Sequence, residues 1–155
     1  MARFVLDHPR VVAGRRVLDL GCGGGLVALA AARAGAGRVT GADIDPFARL
    51  ALDLNAEANR LSVVGLDDAL GASSDWDLIL AADICYERPT AERLTAWLGA
   101  RVAQGARVLL ADPGRAYLPK TGLKALAAYD VPTDLDLEDR TVRHTTVYEM
   151  AAPEG

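Results

Sequence analysis

The run Val17-Leu-Asp-Leu-Gly-Cys-Gly-Gly-Gly25 constrains this chain more than any other stretch. It leads from a short β-prone segment, residues 16–20, through consecutive glycines into an alanine-rich segment, residues 26–34. A strand that ends in glycines and turns at once into a helix is the opening unit of a nucleotide-binding α/β fold. Glycine reaches the backbone conformations such a turn needs. Its missing side chain also lets a ligand approach the amides at the helix N-terminus.

The spacing narrows the ligand. A dinucleotide fingerprint, G-x-G-x-x-G, would need a third glycine where this chain has Leu26. The chain instead reads D-x-G-x-G-x-G, with Asp19, Gly21, Gly23 and Gly25. A carboxylate in this loop repels a pyrophosphate but attracts the α-ammonium of a methionine moiety. The helix N-terminus behind the glycines stabilises the methionine carboxylate. Asp43 lies about 20 residues beyond the first glycine, where an acid accepts both ribose hydroxyls. S-adenosylmethionine (SAM) meets all three conditions, with S-adenosylhomocysteine as the product. Plainer readings exist: Asp19 as a strand-end acid bonding loop amides, and Asp43 as a helix cap. Asp45 followed by Pro46 is better placed for capping. Cys22 reads as a small residue filling a tight loop, since no histidine or lysine adjoins it to lower its pKa.

The rest of the chain alternates strand and helix patterns, the mark of a parallel sheet built from βαβ units. A first helix is expected over residues 2–7, closed by Pro9, and strands over residues 16–20, 37–42, 61–64, 77–82 and 106–111. The helix after Gly25 runs to Ala34 with Gly35 as its cap. In the next helix, Phe47, Leu50, Ala51, Leu54 and Ala58 recur at helical spacing and form the expected apolar face. A helix over residues 90–102 turns Leu94, Trp97, Leu98 and Val102 to the sheet. Asp112-Pro113-Gly114 stops the fifth strand, and a short helix is expected after Thr121. Leu135 and Leu137, then Glu138-Asp139-Arg140, then residues 142–150 read as an antiparallel hairpin added to the parallel sheet.

At 155 residues and 51% hydrophobic composition, the chain suits one domain, residues 1–155, with a sizeable core. The longest uncharged apolar run considered, Leu26 to Ala32, is far shorter than the about 20 residues of a membrane span. Arg3, Asp7, His8 and Arg10 interrupt any leader, so a cytoplasmic protein with reduced thiols at Cys22 and Cys85 is expected. A net charge of −4 with scattered basic residues argues against a nucleic-acid partner. Neither cysteine nor either histidine, His8 and His144, has metal-ligand spacing, so no metal is expected.

Three stretches carry a family resemblance: V-L-D-L-G-C-G-G-G-L from Val17, A-A-D-I-C-Y-E-R-P from Ala81, and L-L-A-D-P-G-R-A-Y-L-P from Leu109. The chain resembles the class I SAM-dependent methyltransferases. Within them it is similar to the bacterial electron-transfer-flavoprotein β-subunit lysine methyltransferases, relatives of the ribosomal protein lysine methyltransferases. The resemblance implies a Rossmann-like α/β fold with a mostly parallel seven-stranded sheet and a C-terminal antiparallel hairpin. It implies methyl transfer from SAM to lysine side chains of a protein, with electron transfer flavoprotein β subunit as the expected partner. It assigns Asp83 and Tyr86, a D-x-x-Y element after the fourth strand, to the methyl group and incoming lysine, with Asp83 orienting the ammonium and easing its deprotonation. It places Ile44, Asp68 and Ala82 beside the cofactor, Asp68 near the adenine. The plainer readings are a loop cap for Asp83 and helix packing for Tyr86. Glu87 is an auxiliary acid in this reading; Arg115, after the Asp-Pro-Gly turn, reads as a solvated surface residue, with contact to a substrate carboxylate as the alternative. The family's N-terminal segment, rich in proline and tryptophan, is not seen before Met1-Ala2-Arg3-Phe4, from which a more open site and weaker SAM affinity are expected.

Other functions fit parts of the pattern. A small-molecule acceptor would call for an aromatic lid, yet aromatic residues make up 5% of the chain. A non-catalytic SAM-binding module would bind without turnover. An NAD-dependent oxidoreductase is disfavoured by Asp19 and Leu26.

Overall fold

The computed structural model describes residues 1–72, 75–132 and 142–151, and its first strand lies inside the sheet, between the second and the fourth. Helix α1 (Ala2–Asp7) and a 3₁₀ turn at Pro9–Val11 precede β1 (Arg16–Leu20). Helix α2 (Leu26–Arg33) then leads to β2 (Arg38–Ala42), α3 (Pro46–Asn59) and β3 (Val64–Leu66). Strand β4 (Leu78–Ala82), α4 (Arg88–Ala103) and β5 (Arg107–Asp112) follow, and β6 (Leu123–Pro132) and β7 (Val142–Met150) end the described chain. The seven strands lie in the order β3-β2-β1-β4-β5-β7-β6. All pairs among the first five strands are parallel, while β7 runs antiparallel to both β5 and β6. This is the expected mostly parallel sheet with an antiparallel C-terminal pair.

Strand alternation divides the core into two layers. Val17, Leu78, Leu80 and Leu109 face α1 and α2 together with Phe4, Val5, Ala28 and Leu52. Leu18, Leu20, Ile79, Ala81, Val108 and Leu110 point the other way, onto Ala91 and Leu98 of α4, with Leu94, Trp97 and Val102 partly buried beside them. Local chemistry sets the element ends. Gly35, at φ +90°, closes α2 as its N–H donates to Ala32 O and the Ala36 N–H to Ala31 O. Asp45 caps α3 by accepting from the Phe47 N–H at 2.9 Å, with Pro46 in the first turn.

Four expectations need correction. The buried face of α3 carries Leu52 and Ala56, whereas Phe47, Leu50 and Leu54 are exposed. Leu52 seats against two glycines: a Cβ on Gly25 would meet its Cδ1 at 2.2 Å and one on Gly41 its Cδ2 at 2.8 Å. A slot for one large side chain thus outweighed the richer apolar stripe. Strand β3 begins at Val64 rather than Leu61, because the Leu61 N–H is held by Ala56 O at the end of α3. Among the described residues no helix follows Thr121; residues 123–132 form β6 along the whole length of β7. The expected first hairpin strand at Leu135 and Leu137 lies outside the described residues, and β6 is the partner of β7 instead. A register shift between Ala125 and Ala127 leaves Leu126 as the extra residue of a β-bulge. The bulge resets the alternation, so Leu123 packs on one layer and Ala127 and Tyr129 on the other. No helix among the described residues is long and apolar enough to cross a membrane.

Candidate functional site

The carboxyl ends of β1, β2 and β4 border a cleft of about 360 Å³, a volume that suits a ligand of nucleoside size. Parallel α/β sheets bind ligands at this edge, where neighbouring crossovers depart to opposite faces. One wall holds Gly21, Asp43 and Ile44, a second Asp68, Ala69 and Leu70, and a third Ala82, Asp83 and Tyr86. The first turns of α4 complete it with Thr90, Arg93 and Leu94. Of these the sequence had placed Leu94 only in the core. The contribution of α4 to the cleft had no signal in its pattern, because core contact and cleft lining fall on adjoining turns.

The glycine loop is held by internal bonds. Gly21 and Cys22 both donate N–H to Ala42 O, at 2.9 and 3.0 Å. Gly23 donates to Asp43 Oδ2 at 2.9 Å, and Asp45 donates to Asp43 Oδ1 at 3.0 Å. Gly21, Gly23 and Gly25 all take positive φ, at +71°, +51° and +84°. Asp43 therefore locks loop to helix while its side chain faces the cleft. A carboxylate fixed in this way is a ready acceptor for ligand hydroxyls. Cys22 is buried, and burial pushes its thiol up to about 12. It fills space beside Gly41 and does not reach the cleft wall.

Asp19 stands behind the wall, as do Gly23 and Gly25. It is 2% exposed, and its Oδ2 accepts the Ala28 N–H of α2 at 2.8 Å. Burial pushes its carboxyl up to about 7, against the pull of that amide and of the Met1 α-ammonium. The structure thus gives Asp19 the amide-bonding arrangement. On the opposite wall Asp68 Oδ1 accepts the Leu70 N–H at 2.9 Å, shaping a tight turn, and Asp67 is paired with Arg49.

Asp83 has a left-handed backbone, φ +54°, rare for a residue with a side chain. Its N–H donates to Ala111 O at 2.9 Å. Arg115 grips its carboxylate with two bonds, Nε to Oδ1 at 2.6 Å and Nη2 to Oδ2 at 2.7 Å. Arg115 is therefore not the solvated surface residue the sequence indicated. The Asp-Pro-Gly-Arg turn returns it across the sheet edge from β5 to β4, a contact no spacing rule announces. Asp112, at the end of β5 and 1% exposed, accepts the N–H groups of Gly114 and Arg115 at 2.7 and 2.6 Å. Tyr86 lies at the mouth, 63% exposed. Glu87 accepts the Thr90 hydroxyl at 3.1 Å at the start of α4 and is outside the wall. Among the described residues no cluster of three His, Cys, Asp or Glu could hold a metal. His144 bonds Asp130 through Nδ1 at 2.9 Å.

The cleft's parts suit a nucleoside carrying an amino-acid arm. Gly21 leaves the wall open where a Cβ would stand 3.3 Å from Ile84. Asp43 supplies the hydroxyl acceptor, and the Asp68–Leu70 turn a polar edge.

The chain is 38% identical over 156 residues to the electron transfer flavoprotein β subunit lysine methyltransferase of Danio rerio, covering 96% of this chain and 60% of that protein. It is 42% identical over 119 residues to the Homo sapiens protein of the same name, covering 74% of this chain and 45% of the relative. The chain thus spans about three-fifths or less of these relatives' length. Among solved structures, magnesium protoporphyrin IX methyltransferase from Synechocystis PCC 6803 with bound SAM superposes with a TM-score of 0.72 at 18% identity. That match covers 97% of this chain and 77% of the other, and shows a shared class I methyltransferase fold. Residues 4–87, which hold the glycine loop, Asp43 and Asp83, match the family described as ribosomal protein L11 methyltransferase (PrmA). The chain belongs to the PrmA family of methyltransferases.

Proposed function

We propose that this chain is a SAM-dependent protein-lysine methyltransferase whose substrate is the electron transfer flavoprotein β subunit. The observation that carries the reading is the position of Asp43. It is locked to the glycine loop, faces a cleft of nucleoside size, and lies across that cleft from the paired Asp83. The names of the Danio rerio and Homo sapiens relatives support the substrate.

SAM supplies a methyl group already activated on a sulfonium, so the protein's task is alignment. Asp43 accepts the ribose hydroxyls, Ile44 and Ala82 pack beside the nucleoside, and the Asp68 turn reads the adenine edge. Gly21 admits the backbone of the loop to close contact, while Asp19 with Cys22, Gly23 and Gly25 holds the loop in shape around the methionine end. Asp83 orients the acceptor nitrogen, and Tyr86 offers it an aromatic wall and a hydroxyl. The transfer forms a nitrogen–carbon bond, breaks the sulfonium–carbon bond and leaves that bond's electron pair on sulfur.

Calorimetric titration with S-adenosylhomocysteine tests the cofactor site. The wild-type chain should bind one equivalent. Asp43→Ala should bind about tenfold more weakly, because it removes a charged acceptor and frees the Gly23 amide. Equal affinities for the two chains would remove Asp43 from the site.

A further inference from the structure

Asp83 keeps a backbone conformation that a residue with a side chain adopts only where its surroundings fix it. The Ala111 carbonyl holds its N–H, and the Arg115 fork holds its carboxylate at 2.6 and 2.7 Å. Arg115 is itself anchored, since its N–H and that of Gly114 both donate to the buried Asp112. A two-pronged guanidinium–carboxylate contact fixes direction as well as distance. The end of β5 thus sets the position of a carboxylate at the end of β4.

The charge of that pair bears on the chemistry. A lone carboxylate beside an incoming lysine favours the ammonium, the form with no lone pair to give. A carboxylate already engaged by a guanidinium still has free lone pairs to accept an N–H, but the pair carries no net charge. We propose that Arg115 is a positioning residue that fixes Asp83 and neutralises its charge, so that the pair orients an acceptor amine without holding it as an ammonium. This rests on the lysine-acceptor reading above and assigns a residue to it. The ammonium releases its proton to solvent, and the amine lone pair then forms the bond to the methyl carbon.

The other groups facing the pair are common to the wild type and the variants below, so a difference between their pH profiles reports the pair itself. Behind it, Asp112 accepts two amides at Oδ1 while its buried Oδ2 meets no partner among the described residues, and the Cys85 thiol is pushed up to about 11 by burial. Across the cleft, Asp43 is bonded to the amides of Gly23 and Asp45, and Asp68 to that of Leu70. Asp67 is paired with Arg49. Tyr86 and Arg93 complete the facing groups.

The test is the pH dependence of kcat/KM for methylation of the electron transfer flavoprotein β subunit at saturating SAM. Arg115→Met should move the rising limb up by about one pH unit, giving roughly tenfold lower activity near neutrality that recovers at high pH. Arg115→Lys keeps the charge and should leave the limb in place while lowering kcat. Asp83→Asn leaves the guanidinium without its carboxylate and should move the limb the opposite way. Affinity for S-adenosylhomocysteine should be unchanged in all three. A profile scaled by one factor at every pH, or limbs that do not move in opposite directions, would overturn the proposal. Urea unfolding of Asp83→Asn, Arg115→Met and the double variant reads the clamp without turnover, and strictly additive losses would refute it. A wild-type chain that binds S-adenosylhomocysteine but methylates no protein would sink the acceptor reading, and the unfolding cycle would still decide whether the clamp exists.

Discussion

Asp19→Asn should stabilise the ligand-free protein at pH 8 while weakening its affinity for SAM. Asp19 is 2% exposed, and burial raises its carboxyl from 3.8 to about 7. Below pH 3.8 the group is neutral whether the chain is folded or unfolded, and it costs nothing. Between that value and about 7 the unfolded chain releases the proton and the folded chain keeps it, so stability falls as pH rises. Above about 7 the whole penalty applies, up to about 4 kcal/mol. Asparagine retains an oxygen for the Ala28 N–H and removes the charge. The variant's stability should therefore vary much less between pH 4 and 8, and its denaturant midpoint should exceed the wild type's at the upper end. Its SAM affinity should drop, since the attraction for an α-ammonium is gone. A variant no more stable than wild type at pH 8 would show that the Asp19 carboxylate is not desolvated at a cost. Keeping an expensive buried charge makes sense where binding needs it.

Gly25→Ala should be the most damaging small substitution in the loop. The left-handed conformation at φ +84° is strained for alanine, and the new Cβ would sit 2.2 Å from Leu52 Cδ1. Leu52 is fully buried and cannot swing aside. Overpacking and backbone strain together should cost about 3 kcal/mol, or roughly 10 °C in Tm for a chain of this size. Gly23→Ala is the control, because Gly23 has positive φ but nothing within 4 Å of the added carbon. It should lose only about 1 kcal/mol. Equal losses in the two variants would mean that Leu52 does not anchor α3 in the glycine slot.

The sequence was most readable where local chemistry and burial agree. Arg16–Leu20, the glycine turn and the Asp45-Pro46 cap each carry a backbone signal that tertiary packing leaves intact. The face of α3 was misread because periodicity counts apolar residues and does not see the slot that Gly25 and Gly41 open for Leu52. Strand β6 was hidden twice over: Leu-Lys-Ala-Leu-Ala-Ala has helical propensity, and the bulge at Leu126 breaks the period of two. In the site, Asp43, Ile44, Asp68, Ala82, Asp83 and Tyr86 were all placed at one cleft. The Asp83–Arg115 pair spans 32 positions, and only the neighbouring order of β4 and β5 brings it together.

Mass spectrometry of the electron transfer flavoprotein β subunit after incubation with this chain and SAM tests the central claim most directly. The account predicts that the subunit gains whole methyl groups, mapped to lysine side chains, and that Asp83→Ala abolishes most of the gain while S-adenosylhomocysteine still binds. An unmodified subunit in the presence of a folded, S-adenosylhomocysteine-binding chain would contradict it.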